Sequence, residues 1–145
     1  MLLRPEPSVS QPIAFDHRLH VEMIDCLDCH AHYEDSAHSG LPKLSDCMIC
    51  HEEPQSDSAE EQLVRELAEA GDDDVFVKLF QMPDNVAYSH ARHVGVAGIE
   101  CATCHGPIAE TSSPPEQPLV RVTMDFCIDC HEQQGAATDC TTCHR

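Results

Sequence analysis

Cys26-Leu27-Asp28-Cys29-His30 sets a pattern that four later stretches repeat: Cys47-Met48-Ile49-Cys50-His51, Cys101-Ala102-Thr103-Cys104-His105, Cys127-Ile128-Asp129-Cys130-His131 and Cys140-Thr141-Thr142-Cys143-His144. Together the five use all ten cysteines of the chain. C-x-x-C-H is the attachment pattern of a c-type haem. The two thiols add to the porphyrin vinyl groups, and the adjacent imidazole reaches the iron from the proximal side. A disulfide framework could use ten cysteines but asks for no histidine after every second one. A zinc ribbon takes two C-x-x-C pairs per metal, so five pairs leave one over. Thioredoxin-like chemistry needs one such motif beside a βαβ pattern, which the chain lacks. The reading is therefore five covalent haems, with His30, His51, His105, His131 and His144 as proximal ligands.

Composition agrees with a core supplied by something other than side chains. Leu, Ile, Val and Phe make up about one residue in five of 145, and the formal net charge is −18. A chain so acidic and so poor in apolar residues stays disordered unless a cofactor fills its interior. Twenty-six Asp and Glu against eight Lys and Arg argue against nucleic acid or an anionic membrane as partner, because both need a basic patch. The charge points instead to redox proteins with a basic docking surface. No run of 18 apolar residues occurs, so the sequence predicts no membrane span.

Six histidines remain for the distal side: His17, His20, His32, His38, His90 and His93. Four of them form a repeat. Phe15-Asp16-His17-Arg18-Leu19-His20-Val21 and Tyr88-Ser89-His90-Ala91-Arg92-His93-Val94 share an aromatic residue, H-x-x-H and a valine, 73 residues apart. A haem motif follows each after five and seven residues respectively. This is an internal duplication of a haem-binding unit.

Over residues 13–51 and 86–144 these features resemble the class III cytochromes, in particular the small c7 group and its multihaem relatives. The resemblance implies that the first histidine of each pair ligates the nearest haem and the second a haem further along. His17 would then cap the haem at Cys26 and Cys29, and His90 the haem at Cys101 and Cys104. His20 and His93 would serve others. Residues 127–144 resemble the closely spaced last two haems of c7. One departure stands out, because c7 has a further distal histidine shortly before the penultimate motif. Between Gly106 and Phe126 this chain has none. The fifth distal ligand must be His38, His32, Met124 or a group from a partner, and the loop Ala37-His38-Ser39-Gly40-Leu41-Pro42 favours His38. A methionine ligand would raise that haem's potential above its bis-histidine neighbours.

A second resemblance covers more of the chain. Gly40-Leu41-Pro42 before Cys47, and Val77-Lys78-Leu79-Phe80-Gln81-Met82-Pro83-Asp84 before the second histidine pair, are similar to the pentahaem subunit of alternative complex III and related membrane quinol oxidoreductases. Members of that group usually carry a membrane-anchoring segment, whereas residues 1–12 hold three prolines and no apolar stretch.

The expected organisation is an N-terminal tail (residues 1–12), a two-haem module (13–51), a haem-free insert (52–85) and a three-haem module (86–145). In the insert, Ser58 with Glu61 has the spacing of a capping box. Leu63, Val64 and Leu67 then share one side up to Gly71, predicting a helix over 59–70. Val75, Val77 and Leu79 alternate with Phe76, Lys78 and Phe80, as in a short strand, an extended segment or a plain linker. Residues 107–118 hold four prolines and read as a loop. The fold class expected is mostly irregular, with short α-helices around a stacked haem array and little or no sheet. The function implied is electron transfer in the periplasm or elsewhere outside the cytoplasm, as a shuttle or as a subunit of a membrane redox complex. A repeating unit of a cytochrome filament and a reductase with one open-coordinate haem are the alternatives. Residues 1–11 show no signal-peptide pattern, so the chain reads as mature or truncated.

Overall fold

Side chains at i, i+3 and i+4 leave a helical turn on one side, and each of the five motifs is built on such a turn. The computed structural model describes residues 8–144; residues 1–7 of the tail, and Arg145, lie outside the described residues. Helices α1 (His17–His20), α2 (Cys26–Cys29), α3 (Leu44–His51), α4 (Ala59–Ala70), α5 (Cys101–His105), α6 (Met124–Gln134) and α7 (Cys140–Cys143) follow in chain order. A π-helical turn at Ala91–Val96 precedes α5, and a 3-10 turn at Ile108–Glu110 follows it. Among the described residues no sheet forms, and the sole bridge of strand type joins Val86 to His144.

Acidic side chains start the short helices. The carboxylate of Asp28 accepts from the Asp25 N–H, and that of Asp46 from the Lys43 N–H, each at 2.9 Å. Thr123 starts α6 by accepting from the Phe126 N–H. α4 departs from its sequence pattern. Ser58 holds the N-cap position but makes no side-chain cap bond, and Glu61 turns elsewhere. The expected capping box does not form. Gly71 does end the helix, at φ +85°, with its N–H reaching the Ala68 and Leu67 carbonyls.

Only three apolar side chains are buried among the described residues: Ile13, Leu44 and Val64. They form one cluster with Cys47, Met48, Leu63, Leu67, Ala68, Val75 and Phe76 around it. This small core sits where α3 and α4 pack, so the insert covers the second haem motif. The segment after α4 runs extended and joins no sheet. The Gln11 amide staples it, donating to the Val77 carbonyl at 2.7 Å and accepting from the Val77 N–H at 3.0 Å.

The two duplicated units clasp each other through backbone. Arg18 N–H donates to the Thr111 carbonyl, while Ala91 N–H and His90 N–H donate to the carbonyls of Ser36 and Ala37. Gly95 lies against the Glu34 backbone so closely that a Cβ there would collide with it.

Candidate functional site

The duplicated histidine pairs share their ring contacts and the bond of the second histidine. Phe15 stacks on His20 with ring centroids 4.4 Å apart and meets His17 edge-on at 4.9 Å. Tyr88 does the same to His93 at 4.6 Å and to His90 at 4.9 Å. The second histidine of each pair donates from Nδ1 to the carbonyl four residues back: His20 to Asp16 and His93 to Ser89, both at 2.8 Å. The first histidine is oriented by the other unit. His17 Nδ1 lies 3.3 Å from Thr111 Oγ1, and His90 Nδ1 donates to the Ala37 carbonyl at 3.1 Å.

Four of the five motif histidines are held by the same atom. His30 Nδ1 donates to Gly40 O at 2.9 Å and His131 Nδ1 to Ala137 O at 2.7 Å. His51 Nδ1 donates to the Glu61 carboxylate at 3.1 Å. The Asn85 amide lies 3.4 Å from His144 Nδ1, and Phe80 packs edge-on to His105 at 4.5 Å. A nitrogen fixed at Nδ1 leaves Nε2 to bind a metal.

The imidazoles then come together in pairs. His20 faces His51 at 6.1 Å between centroids, His90 faces His105 at 6.3 Å, and His93 faces His131 at 6.0 Å. Two imidazoles that shared one metal through bonds of about 2.0 Å would have their centres about 6.2 Å apart. His17 neighbours His30; burial first, then His30 and His20, keep His17 below the ordinary histidine pKa. Burial lowers His90 and His105 as well. Each shift favours the neutral imidazole, the form that binds a metal.

No disulfide joins any of the ten cysteines, and electrostatic coupling links them from motif to motif. Cys47 is half-buried and coupled to Cys29. Cys101 is coupled to Cys26, Cys104 to Cys127, and Cys127 to Cys143. The couplings run from the second motif to the first, the first to the third, the third to the fourth and the fourth to the fifth.

The remaining candidates are scattered. His32 is exposed, with Nδ1 3.7 Å from Asp35. Met124, the first residue of α6, is exposed too. His38 lines a cavity of about 410 Å³ with Asp84, Val86, Ala87, Tyr88, Ser89 and Arg92. Val86 and Ala87 are the residues that pair with His144 and with the Cys143 carbonyl.

Paired imidazoles and paired cysteines on short helical turns fit haem.

Comparison with known proteins agrees. Residues 86–145 match the family described as cytochrome c7 and related cytochrome c. Residues 3–75, half of the chain, match the class III cytochrome C family. The chain is a class III cytochrome c. As a multihaem cytochrome of this family it binds haem c covalently and transfers electrons. It is similar to the menaquinone reductase multihaem cytochrome c subunit of Nitratidesulfovibrio vulgaris (Hildenborough), at 28% identity over 162 aligned residues, covering 93% of this cytochrome and 77% of the relative. No helix among the described residues is long and apolar enough to cross a membrane.

Several residues that shape this site escape a reading of the sequence. Glu61 looks like a helix cap there, Thr111 like part of a proline-rich loop, and Ala37 offers only its carbonyl. Phe15 and Tyr88 do carry a signal, their fixed place two residues before each H-x-x-H.

Proposed function

We propose that this cytochrome carries five haems in single file and serves as the electron-transferring subunit of a membrane quinone oxidoreductase, outside the cytoplasm. The observation that carries the reading is the set of imidazole pairs at 6.0–6.3 Å. Haem, when bound, supplies the one-electron chemistry. The chain's own part is to hold each group by two thiols, orient two imidazoles and set the neighbours in order. His30 pairs with His17, His51 with His20, His105 with His90 and His131 with His93. His144 pairs with His38, which the shared wall of Val86 and Ala87 supports over His32 and Met124. The kind of complex is suggested by the relative, a subunit of menaquinone reductase by name. The charge of −18 suits a partner with a basic docking surface.

Intact mass of the mature protein should show five haem additions, and its ferric spectrum should be low-spin throughout. His38→Ala should turn one haem high-spin, while His32→Ala and Met124→Leu leave the spectrum unchanged. Four additions, or a high-spin haem in the native protein that binds carbon monoxide, would refute the five-haem bis-histidine reading. A second-order transfer rate to the partner that stays flat from low to high salt would remove charge steering from it.

A further inference from the structure

One of the histidines above has a charged acceptor where most have a backbone carbonyl. Five donate from Nδ1 to backbone carbonyls: His20, His30, His90, His93 and His131. Among the described residues, His51 alone has a carboxylate at hydrogen-bond distance from Nδ1. That carboxylate is not a passing surface contact. Glu61 is 7% exposed. Its Oε1 also accepts from the Gln55 N–H at 2.6 Å and the Arg65 guanidinium at 2.9 Å, and its Oε2 from the Ser56 hydroxyl at 2.5 Å. With three donors besides His51, it is fixed in place and kept ionised.

A hydrogen bond to an ionised acceptor is roughly twice as strong as one to a neutral carbonyl. It draws the Nδ1 proton, makes Nε2 more basic and so favours the ferric over the ferrous state. We propose that Glu61 is a positioning residue that fixes the His51 ring and lowers the reduction potential of the haem held by Cys47 and Cys50 below that of its neighbours. This rests on the reading of His51 as that haem's ligand. In the proposed file the Cys47 and Cys50 site is terminal, so a lowered potential there makes that end the electron-donating one. An electron arriving there moves inward, toward Cys26 and Cys29.

The test is a redox titration of the holoprotein, with each ferric low-spin signal followed by electron paramagnetic resonance. Glu61→Gln keeps the size and an acceptor oxygen but removes the charge. One haem should then change its ferric-to-ferrous ratio at fixed potential by tenfold or more, upward by about 59 mV for a one-electron couple. Its g-values should move toward those of the other haems. Arg65→Gln, which frees the carboxylate from its competing cation, should move the same haem downward. Glu66→Gln removes an equal charge from the exposed side of the same helix and should change every ratio less than twofold. His51→Ala names the haem by turning it high-spin. If Glu61→Gln shifts no haem, or all of them alike, while His51→Ala gives one high-spin haem, the tuning role fails and the ligand assignment survives. If His51→Ala gives none, the assignment falls and the tuning role with it. Should Glu61→Gln not mature, Arg65→Gln decides: no downward shift overturns the proposal.

Discussion

The residues before about 85 and those after carry the same histidine pair and the same kind of thiol turns, yet they hold themselves together differently. The first part owns the apolar cluster of Ile13, Leu44 and Val64, a twelve-residue helix packed on a motif helix, and the Gln11 staple. The second part, through residue 144, buries no large apolar side chain; Gly106 is its sole buried residue among those described. Its α6 is nearly as long as α4, so helix length is not the difference. What differs is the source of the buried surface. In the first part some of it is protein against protein, whereas in the second it must come from haem through thioether and iron bonds. The duplicated unit is thus a haem clamp that can be used with or without a side-chain core.

The largest effect should come from separating these two sources. Without haem, three buried side chains worth roughly 1.5–3 kcal/mol each face a backbone ordering cost of about 1–2 kcal/mol per residue. Chain produced without haem attachment should therefore show no cooperative melt by circular dichroism. In the holoprotein, Cys127→Ser with Cys130→Ser should cost one haem and open the amides of the second part to hydrogen exchange, while those of α4 stay protected. Leu44→Ala should do the reverse. It should leave the haem count alone and cost about 2–5 kcal/mol of unfolding free energy, read mainly at α3 and α4. Equal loss of protection in both parts, from either change, would erase the distinction.

These contrasts also show what a sequence can and cannot carry. The thiol turns are legible because C-x-x-C-H is local, and so is α4, whose apolar spacing and closing Gly71 lie within thirteen residues. The repeat of aromatic residue and H-x-x-H is legible as a pattern. Its orientation is not, because the acceptors come from far away: Thr111 is 94 residues from His17, and Ala37 is 53 from His90. A backbone carbonyl has no letter in a sequence. Glu61 misleads for a physical reason, since its place three residues after Ser58 suits a cap, but Ser56, Gln55 and His51 together offer it more bonds than the helix end does. The alternation at Val75, Val77 and Leu79 has a similar outcome. Extended backbone forms there, and the side chain of Gln11 pairs with it instead of a second strand.

A middle-sized effect is expected where the two parts touch. Gly95→Ala pushes a methyl group into the Glu34 backbone, which cannot swing aside as a flexible side chain would. The π-helical turn would have to move off the first part, carrying His90 and His93 with it. A cost of about 1–3 kcal/mol is expected, as for other overpacked contacts. Thermal melting followed in the haem absorption band would measure it. A melt unchanged by Gly95→Ala would mean that the haems alone join the two parts and the clasp adds nothing.

The smallest effect sharpens the comparison between α4 and α6, one helix from each part. Thr123 caps α6 through its hydroxyl, accepting from the Phe126 N–H at 3.2 Å, so Thr123→Ala should cost about 1 kcal/mol. Ser58 stands at the same position of α4 without such a bond, so Ser58→Ala should cost less than about 0.5 kcal/mol, the range of a surface change that breaks nothing. The same substitution thus asks whether a helix depends on its own end or on what it packs against. α4 has Leu44 and Phe76 beside it and a carboxylate tied to His51, and it can do without a cap. α6 lies in the part with no side-chain core and leans on its local bond. Denaturant melts of the two variants, compared at equal haem content, measure the difference. Equal costs near 1 kcal/mol would mean that Ser58 caps α4 in solution after all. Glu61 would then be shared between the helix end and His51, and its pull on that ligand would weaken in proportion.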